Sequence, residues 1–137
     1  MVYEGRIYSL ESNQIFVFGS NTQGRHGLGS AKTAIDFFGA KYGQASGLMG
    51  KSYGLITKDL TKKIHPSVSE KRIISQIHKL YEYAVSNKDK EFLIAYLAYG
   101  HLYNGYSIKQ MAAMFANKII PKNIIFNENF SKYVFSF

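Results

Sequence analysis

Residues 15–21 read Ile-Phe-Val-Phe-Gly-Ser-Asn, and residues 24–29 shortly after them read Gly-Arg-His-Gly-Leu-Gly. The first four of these side chains are β-branched or aromatic and lie between polar segments, which is typical of a buried strand. After the glycines, apolar residues recur over 31–38 at the spacing i, i+3, i+4, i+7 of one helix face. This stretch predicts a strand, a glycine-rich loop and a helix in succession, and it decides the fold.

A second strand and helix follow. Residues 40–52 are rich in glycine and small polar residues and are predicted to be loop, and a strand is predicted from Ser52 to Thr57. The pattern Ser67-x-x-Glu70 then predicts a capping box, with Ser67 as the N-cap of a helix that runs to about Ser86.

The third unit contains the most apolar strand of the chain. Residues 92–98 read Phe-Leu-Ile-Ala-Tyr-Leu-Ala, which is typical of a central strand covered by helices on both sides. A second glycine loop at 100–106 leads to another predicted capping box, Ser107-x-x-Gln110, and a helix. Residues 124–126 predict a last short strand.

Strands that alternate with helices favour an α/β fold with a largely parallel sheet. We therefore predict a three-layer α/β/α sandwich formed by a single domain over residues 1–137, a length that can bury a core without disulfides. The aromatic tail at 130–137 has two interpretations: an exposed apolar segment that favours self-association, or an edge strand that folds back.

The composition excludes several classes but leaves the partner open. The chain contains no cysteine, which excludes disulfides, thiolate metal sites and a cysteine nucleophile. We expect neither a membrane span nor a signal peptide, and therefore a cytoplasmic protein. Lys and Arg number 17 against 9 Asp and Glu, giving a net charge of +8. That charge favours an anionic partner or serves only to keep the surface soluble.

Both glycine loops are predicted at carboxyl ends of strands, where open α/β sheets bind ligands. Each loop also opens a helix, whose free N–H groups and dipole favour an anion. The spacing of Gly24, Gly27 and Gly29 matches neither the dinucleotide fingerprint nor the P-loop. Either loop alone is equally well explained as a tight turn, whereas the pair favours a diphosphate held from two sides.

The two loops and the segment between them resemble the motifs of macro domains. Residues 15–21 and 24–31 resemble the strand ending in asparagine and the glycine-rich loop that opens a helix. Residues 47–59 resemble the middle segment of the family, and residues 92–106 resemble its second loop, which closes on the distal phosphate and ribose. The resemblance covers roughly residues 13–116 and is closest to divergent small macro-like proteins of bacteria and phages.

Macro domains bind ADP-ribose or related nucleotides, and some hydrolyse ADP-ribose esters or glycosides. The resemblance implies that Asn21 faces the distal ribose and that residues 27–29 give N–H groups to the diphosphate. It also implies that residues 100–106 cover the other side of the diphosphate. The predicted ligand-binding residues are Gly19, Ser20, Asn21, Gly24, Arg25, Gly27, Leu28, Gly29, Lys58, Gly100, Leu102, Gly105 and Tyr106.

Three side chains are candidates for catalysis. Asn21 would orient a ribose hydroxyl or a water, Asp59 would activate that water, and His26 would act as a general base. Their plainer interpretations are a turn residue at a strand end, a charged turn and a solvent-exposed loop histidine. The other histidines lack the spacing of metal ligands, so we expect no metal and no cofactor.

Two mechanisms stay open for a nucleotide ligand such as ADP-ribose. The protein either sequesters or reads the nucleotide, or it hydrolyses the distal ribose linkage. The alternative is a small basic nucleic-acid-binding protein, which the basic residues between 62 and 90 favour. Exposed aromatic residues are not interleaved with these charges, as they are in many nucleic-acid-binding surfaces.

Overall fold

A computed structural model describes residues 1–98 and 102–136 of the chain. Within those ranges, the elements in chain order are β1 (Val2–Tyr3), β2 (Gln14–Asn21), α1 (Gly29–Phe37), β3 (Gly47–Met49), β4 (Ser52–Lys58), α2 (Glu70–Val85), β5 (Glu91–Ile94), α3 (Ile108–Phe115), β6 (Ile124–Asn127) and α4 (Glu128–Val134). Across the same residues, no helix combines the length and the apolar character needed to cross a membrane.

The strands form one six-stranded sheet in the order β1-β6-β5-β2-β4-β3. Every adjacent pair is parallel except β3 and β4, which are antiparallel. From the central strand β2 the chain continues toward β4, whereas from the neighbouring β5 it continues toward β6 on the other side. Because the two exits diverge, they leave a crevice at the carboxyl ends of β2 and β5, which is where α/β sheets bind ligands.

Alternate side chains of β2 point to opposite faces of the sheet. Helices pack against both of these faces. Ile15 and Val17 belong to the larger core, which α2, α3 and α4 complete. Phe16 and Phe18 belong to a smaller core against α1. The predicted α/β class with a mostly parallel sheet is confirmed, and the helices lie in layers on either side of it.

The start of α2 differs from the prediction. Ser69 is its N-cap and accepts a hydrogen bond from an N–H of the first turn. The hydroxyl of Ser67 instead accepts a hydrogen bond from the N–H of Asp59 at 2.8 Å. The capping box predicted from Ser67 and Glu70 is therefore wrong, because tertiary structure uses Ser67 elsewhere. The second predicted capping box, at residues 107–110, is confirmed.

The tail folds as a helix, so the predicted edge strand is wrong. Asn127 is the N-cap of α4 and accepts hydrogen bonds from the N–H groups of Asn129 and Phe130, at 2.9 and 3.2 Å. Phe130 and Val134 are buried in the larger core. Phe130 and Val134 therefore complete the core, whereas Phe135 is exposed.

Two short strands were not predicted, and one strand is shorter than predicted. β1 has two residues, and the three-residue β3 lies within the stretch 40–52 that was predicted to be loop. β5 ends at Ile94 rather than at residue 98. Ala95 still donates a hydrogen bond to the carbonyl oxygen of Val17 in β2 at 2.8 Å. Tyr96, the next residue, lies against Gly19 near the carboxyl end of β2 and lines the cavity described below.

Candidate functional site

A cavity of about 330 Å³ occupies the crevice at the carboxyl ends of β2 and β5. This volume lies near the lower end of the range of about 300–1,000 Å³ that is usual for small-molecule sites. The end of β2, the start of α1, the end of β4 and the segment after β5 all contribute to its wall. The two loops predicted from the sequence therefore meet at one site.

Most of the predicted ligand-binding residues line this cavity. They are Gly19, Ser20, Asn21, Arg25, Gly27, Leu28, Gly29, Lys58 and Leu102. Gly100 lies outside the described residues. The remaining three, Gly24, Gly105 and Tyr106, lie in the loops but are absent from the described lining.

Gly24, Gly105 and Tyr106 shape the loops from outside the cavity. Gly24 has φ +64°, and a Cβ there would lie 2.6 Å from the backbone of Gly43. Gly105 has φ +86° and packs directly on the peptide that joins His65 and Pro66. The hydroxyl of Tyr106 donates a hydrogen bond to the carbonyl oxygen of Val68. Both glycines hold backbone conformations that a side chain would strain.

His26 is buried, so its interpretation as a solvent-exposed loop residue is wrong. It is 2% exposed, and its Nε2 lies 2.9 Å from the carbonyl oxygen of Lys41 and 3.0 Å from that of Gln44. Because both partners only accept, Nε2 carries the proton and donates. The imidazole thus ties the first loop to the turn at 41–44, and the described cavity lining does not include it.

Asp59 is held in a similar way. Its Oδ1 accepts hydrogen bonds from the hydroxyl and the N–H of Thr61, at 2.6 and 2.9 Å, and from the hydroxyl of Thr22 at 3.2 Å. The bonds from Thr61, more than the one from Thr22, lower the pKa of the Asp59 carboxyl below its ordinary value. A lowered pKa makes a carboxylate a weaker base. Asp59 braces the first loop and is absent from the described cavity lining.

The side chain of Asn21 lines the cavity and also organises the loop that follows it. Oδ1 accepts hydrogen bonds from the N–H groups of Gln23 and Arg25 at 3.2 and 3.0 Å, and Nδ2 donates to the carbonyl oxygen of Arg25 at 2.7 Å. An amide nitrogen carries two hydrogens, so Nδ2 retains one for a ligand. Asn21 therefore acts on the site largely by fixing the backbone of residues 22–25.

We expect Asn21→Ala to lower the free energy of unfolding by about 1–3 kcal/mol, because three hydrogen bonds at a buried position are lost together. Urea denaturation measures this loss. The matched control is Asn117→Ala, at an exposed position after α3, where we expect a change within about 0.5 kcal/mol. A stability equal to that of the wild type would contradict the organising role of Asn21.

The start of α1 supplies the most direct feature for binding an anion. Its N-cap, Leu28, has extended backbone angles and makes no side-chain capping hydrogen bond. The first turn of the helix contains no acidic residue. Gly29, Ser30 and Ala31, the first residues of the helix, all line the cavity. The first N–H groups of a helix have no partner within it, so they favour negative charge.

Two basic residues line the same cavity as the start of this helix. Arg25, in the first loop, and Lys58, at the end of β4, both line the cavity. Among the described lining residues, none is acidic. The site therefore has a positive balance of charge beside the helix N-terminus, an arrangement suited to a phosphate group.

Several lining residues were not predicted from the sequence. Thr57 and Tyr96 form the part of the wall next to Gly19. Asn104 contributes from the second loop, and Tyr42 from the turn that His26 holds. The sequence placed Tyr96 inside an apolar strand and so predicted a core residue. A signal was present in Gly19, because a glycine within a strand often marks a close approach by another group.

The described residues contain no group of three or more His, Cys, Asp or Glu residues placed to hold a metal ion. Comparisons of the chain with protein-family models, with curated proteins and with solved structures find no match. The geometry of the cavity and the motifs of its two loops are therefore the features that bear on its ligand.

Proposed function

We propose that this protein binds a nucleotide of the ADP-ribose type in the cavity between its two glycine loops. The observation that carries the proposal is the start of α1, which lines the cavity uncapped, together with Arg25 and Lys58 in the lining of the same cavity. A diphosphate fits this arrangement because it presents several anionic oxygens to N–H groups and cations at once. The resemblance of both loops to those of macro domains supports the same ligand and fold family.

The geometry favours binding over hydrolysis. Asp59 and His26, the predicted bases, are engaged by Thr22 and Thr61 and by two backbone carbonyls, respectively. The side chain of Asn21 makes three hydrogen bonds to the backbone of its own loop. The candidate catalytic groups thus hold the loops around the site in place through hydrogen bonds. We therefore propose that the protein sequesters or reads the nucleotide and does not hydrolyse it.

Isothermal titration calorimetry with ADP-ribose tests this proposal. We expect saturable binding with one site per chain, weakened by added salt because charged groups contribute. ADP and adenosine are the matched probes: ADP keeps the diphosphate and should bind, whereas adenosine lacks it and should bind far more weakly. Absence of ADP-ribose binding at millimolar concentration would overturn the proposal.

A chromatographic assay of the recovered nucleotide separates binding from hydrolysis. We expect ADP-ribose, and an ester carried on its distal ribose, to be recovered intact after incubation with the protein. Release of the distal group, at a rate that Asp59→Asn abolishes, would instead establish a hydrolase. Binding of short DNA or RNA with no binding of ADP-ribose would favour the nucleic-acid alternative.

A further inference from the structure

The hydroxyl of Tyr96 is buried at the cavity without a hydrogen-bond partner among the described residues. Tyr96 is 7% exposed and forms part of the cavity wall. Thr57 and Asn104 lie close enough to lower the pKa of the Tyr96 hydroxyl, but neither makes a hydrogen bond of good geometry with it. Thr57 instead donates to the carbonyl oxygen of Ser20 at 3.4 Å, and Asn104 accepts from the N–H of Tyr106 at 2.9 Å. Buried polar groups in native proteins nearly always have partners, so an unpartnered hydroxyl requires an explanation.

Other tyrosine hydroxyls in the fold follow the usual rule. Tyr81 donates to the carbonyl oxygen of Phe115 at 2.6 Å, and Tyr3 donates to that of Ile94, also at 2.6 Å. These two hydroxyls are satisfied within the protein and lie outside the described cavity lining. Tyr96 differs from them because it lines the cavity. Its unpartnered hydroxyl therefore lies at the proposed ligand site.

Gly19 leaves the space that the hydroxyl occupies. A Cβ at position 19 would lie 2.6 Å from Tyr96 Oη and 3.2 Å from Thr57 Oγ1. The phenol therefore rests against the backbone of β2 at its carboxyl end. Burial raises the pKa of Tyr96 to about 12, so the hydroxyl keeps its proton at neutral pH and can donate it.

We propose that the hydroxyl of Tyr96 donates a hydrogen bond to an oxygen of the bound nucleotide, either an oxygen of the diphosphate or a hydroxyl of the distal sugar. This inference rests on the proposed function and assigns a binding residue to the same cavity. It explains why the hydroxyl is left unpartnered in the protein and why a glycine stands opposite it. In the bound state, an oxygen of the ligand accepts the hydrogen bond that no described group of the protein accepts.

The variant Tyr96→Phe removes the hydroxyl and keeps the ring in place. We expect its affinity for ADP-ribose, measured by calorimetry, to fall by about tenfold or more, because a hydrogen bond to a charged or buried group is lost. In the absence of ligand, we expect the melting temperature to stay equal to that of the wild type or to rise. Lower affinity with an unchanged or higher melting temperature indicates a ligand contact. A structural role of the hydroxyl would lower both the affinity and the melting temperature.

Tyr81→Phe is the matched control, since Tyr81 is also a buried tyrosine but its hydroxyl has a protein partner. We expect this variant to melt about 3–6 °C below the wild type, because it leaves the carbonyl of Phe115 without that hydrogen bond. Its affinity for ADP-ribose should match that of the wild type. The two phenylalanine variants should thus show opposite patterns of stability and affinity.

Titration of Tyr96→Phe with ADP as well as ADP-ribose identifies the oxygen. An equal loss for both ligands assigns the contact to the diphosphate, whereas a loss confined to ADP-ribose assigns it to the distal sugar. Wild-type affinity in Tyr96→Phe, or a ligand-free melting temperature as low as that of Tyr81→Phe, would overturn the inference alone. A wild-type protein that binds neither nucleotide would overturn the proposed function and this inference with it.

Discussion

Replacing Leu28 with aspartate is expected to weaken ADP-ribose binding by about ten- to a hundredfold while stabilising the folded chain. Leu28 is the N-cap of α1, has φ −141° and ψ 154°, and makes no capping hydrogen bond. An aspartate in that conformation can accept an N–H of the first turn, which is worth about 1 kcal/mol. The same carboxylate would stand in the cavity where the anion is proposed to bind, and like charges repel.

The control for this substitution is Leu28→Asn, which caps the helix equally well but carries no charge. Urea denaturation should show both variants to be more stable than the wild type, and calorimetry should show a much larger loss of affinity for the aspartate. Equal affinities in the two variants would mean that the anion does not lie at the start of α1. Loss of affinity without the gain in stability would contradict the capping geometry instead.

The sequence predicted the elements that depend on local patterns. β2, α1 and α3 carry strong apolar periodicity or a complete capping box, so their positions follow from short stretches of chain. The start of α2 was misplaced because Ser67 and Ser69 are both acceptable N-caps, and the choice between them depends on Asp59, which lies outside the helix. Contacts that are distant in sequence override local propensity at such points.

The short strand β1 and the tail helix show the same limit. β1 has only two residues and exists because it pairs with β6 at the other end of the chain. Asn127 caps α4 and also donates a hydrogen bond to the carbonyl oxygen of Gly5 at 3.0 Å. β1 therefore has no pattern of its own, and α4 depends on the packing of Phe130 against Phe115 and Phe126, which a local pattern does not show.

The position of the two loops in one crevice follows from the sequence, because loops that follow neighbouring parallel strands lie at the same edge of the sheet. The roles of individual side chains were less predictable. His26 and Asp59 have the chemistry of catalytic groups, but their hydrogen-bond partners assign them to bracing the first loop. Tyr96 lies in an apolar run that predicted a core position, and its place in the cavity wall follows from its contact with Gly19, which the sequence indicated only by a glycine inside a strand.

Phe115 links this site to the core, and Phe115→Ala is expected to have the largest effect on stability. Phe115 is 0% exposed, and its ring centroid lies 5.5 Å from that of Phe126, 6.0 Å from that of Phe130 and 5.7 Å from that of Tyr96. Truncation of such a ring leaves a cavity and costs about 3–5 kcal/mol. Since domains are stable by only about 5–15 kcal/mol, urea denaturation should show a greatly lowered midpoint.

The matched control is Phe37→Ala, because Phe37 is 74% exposed at the end of α1. We expect its free energy of unfolding to change by no more than about 0.5 kcal/mol. Because the ring of Tyr96 packs against Phe115, truncation of Phe115 should also loosen the proposed ligand contact, so affinity and stability should fall together. A loss of stability below about 1 kcal/mol in Phe115→Ala would contradict the packing of α3 and α4 around this ring.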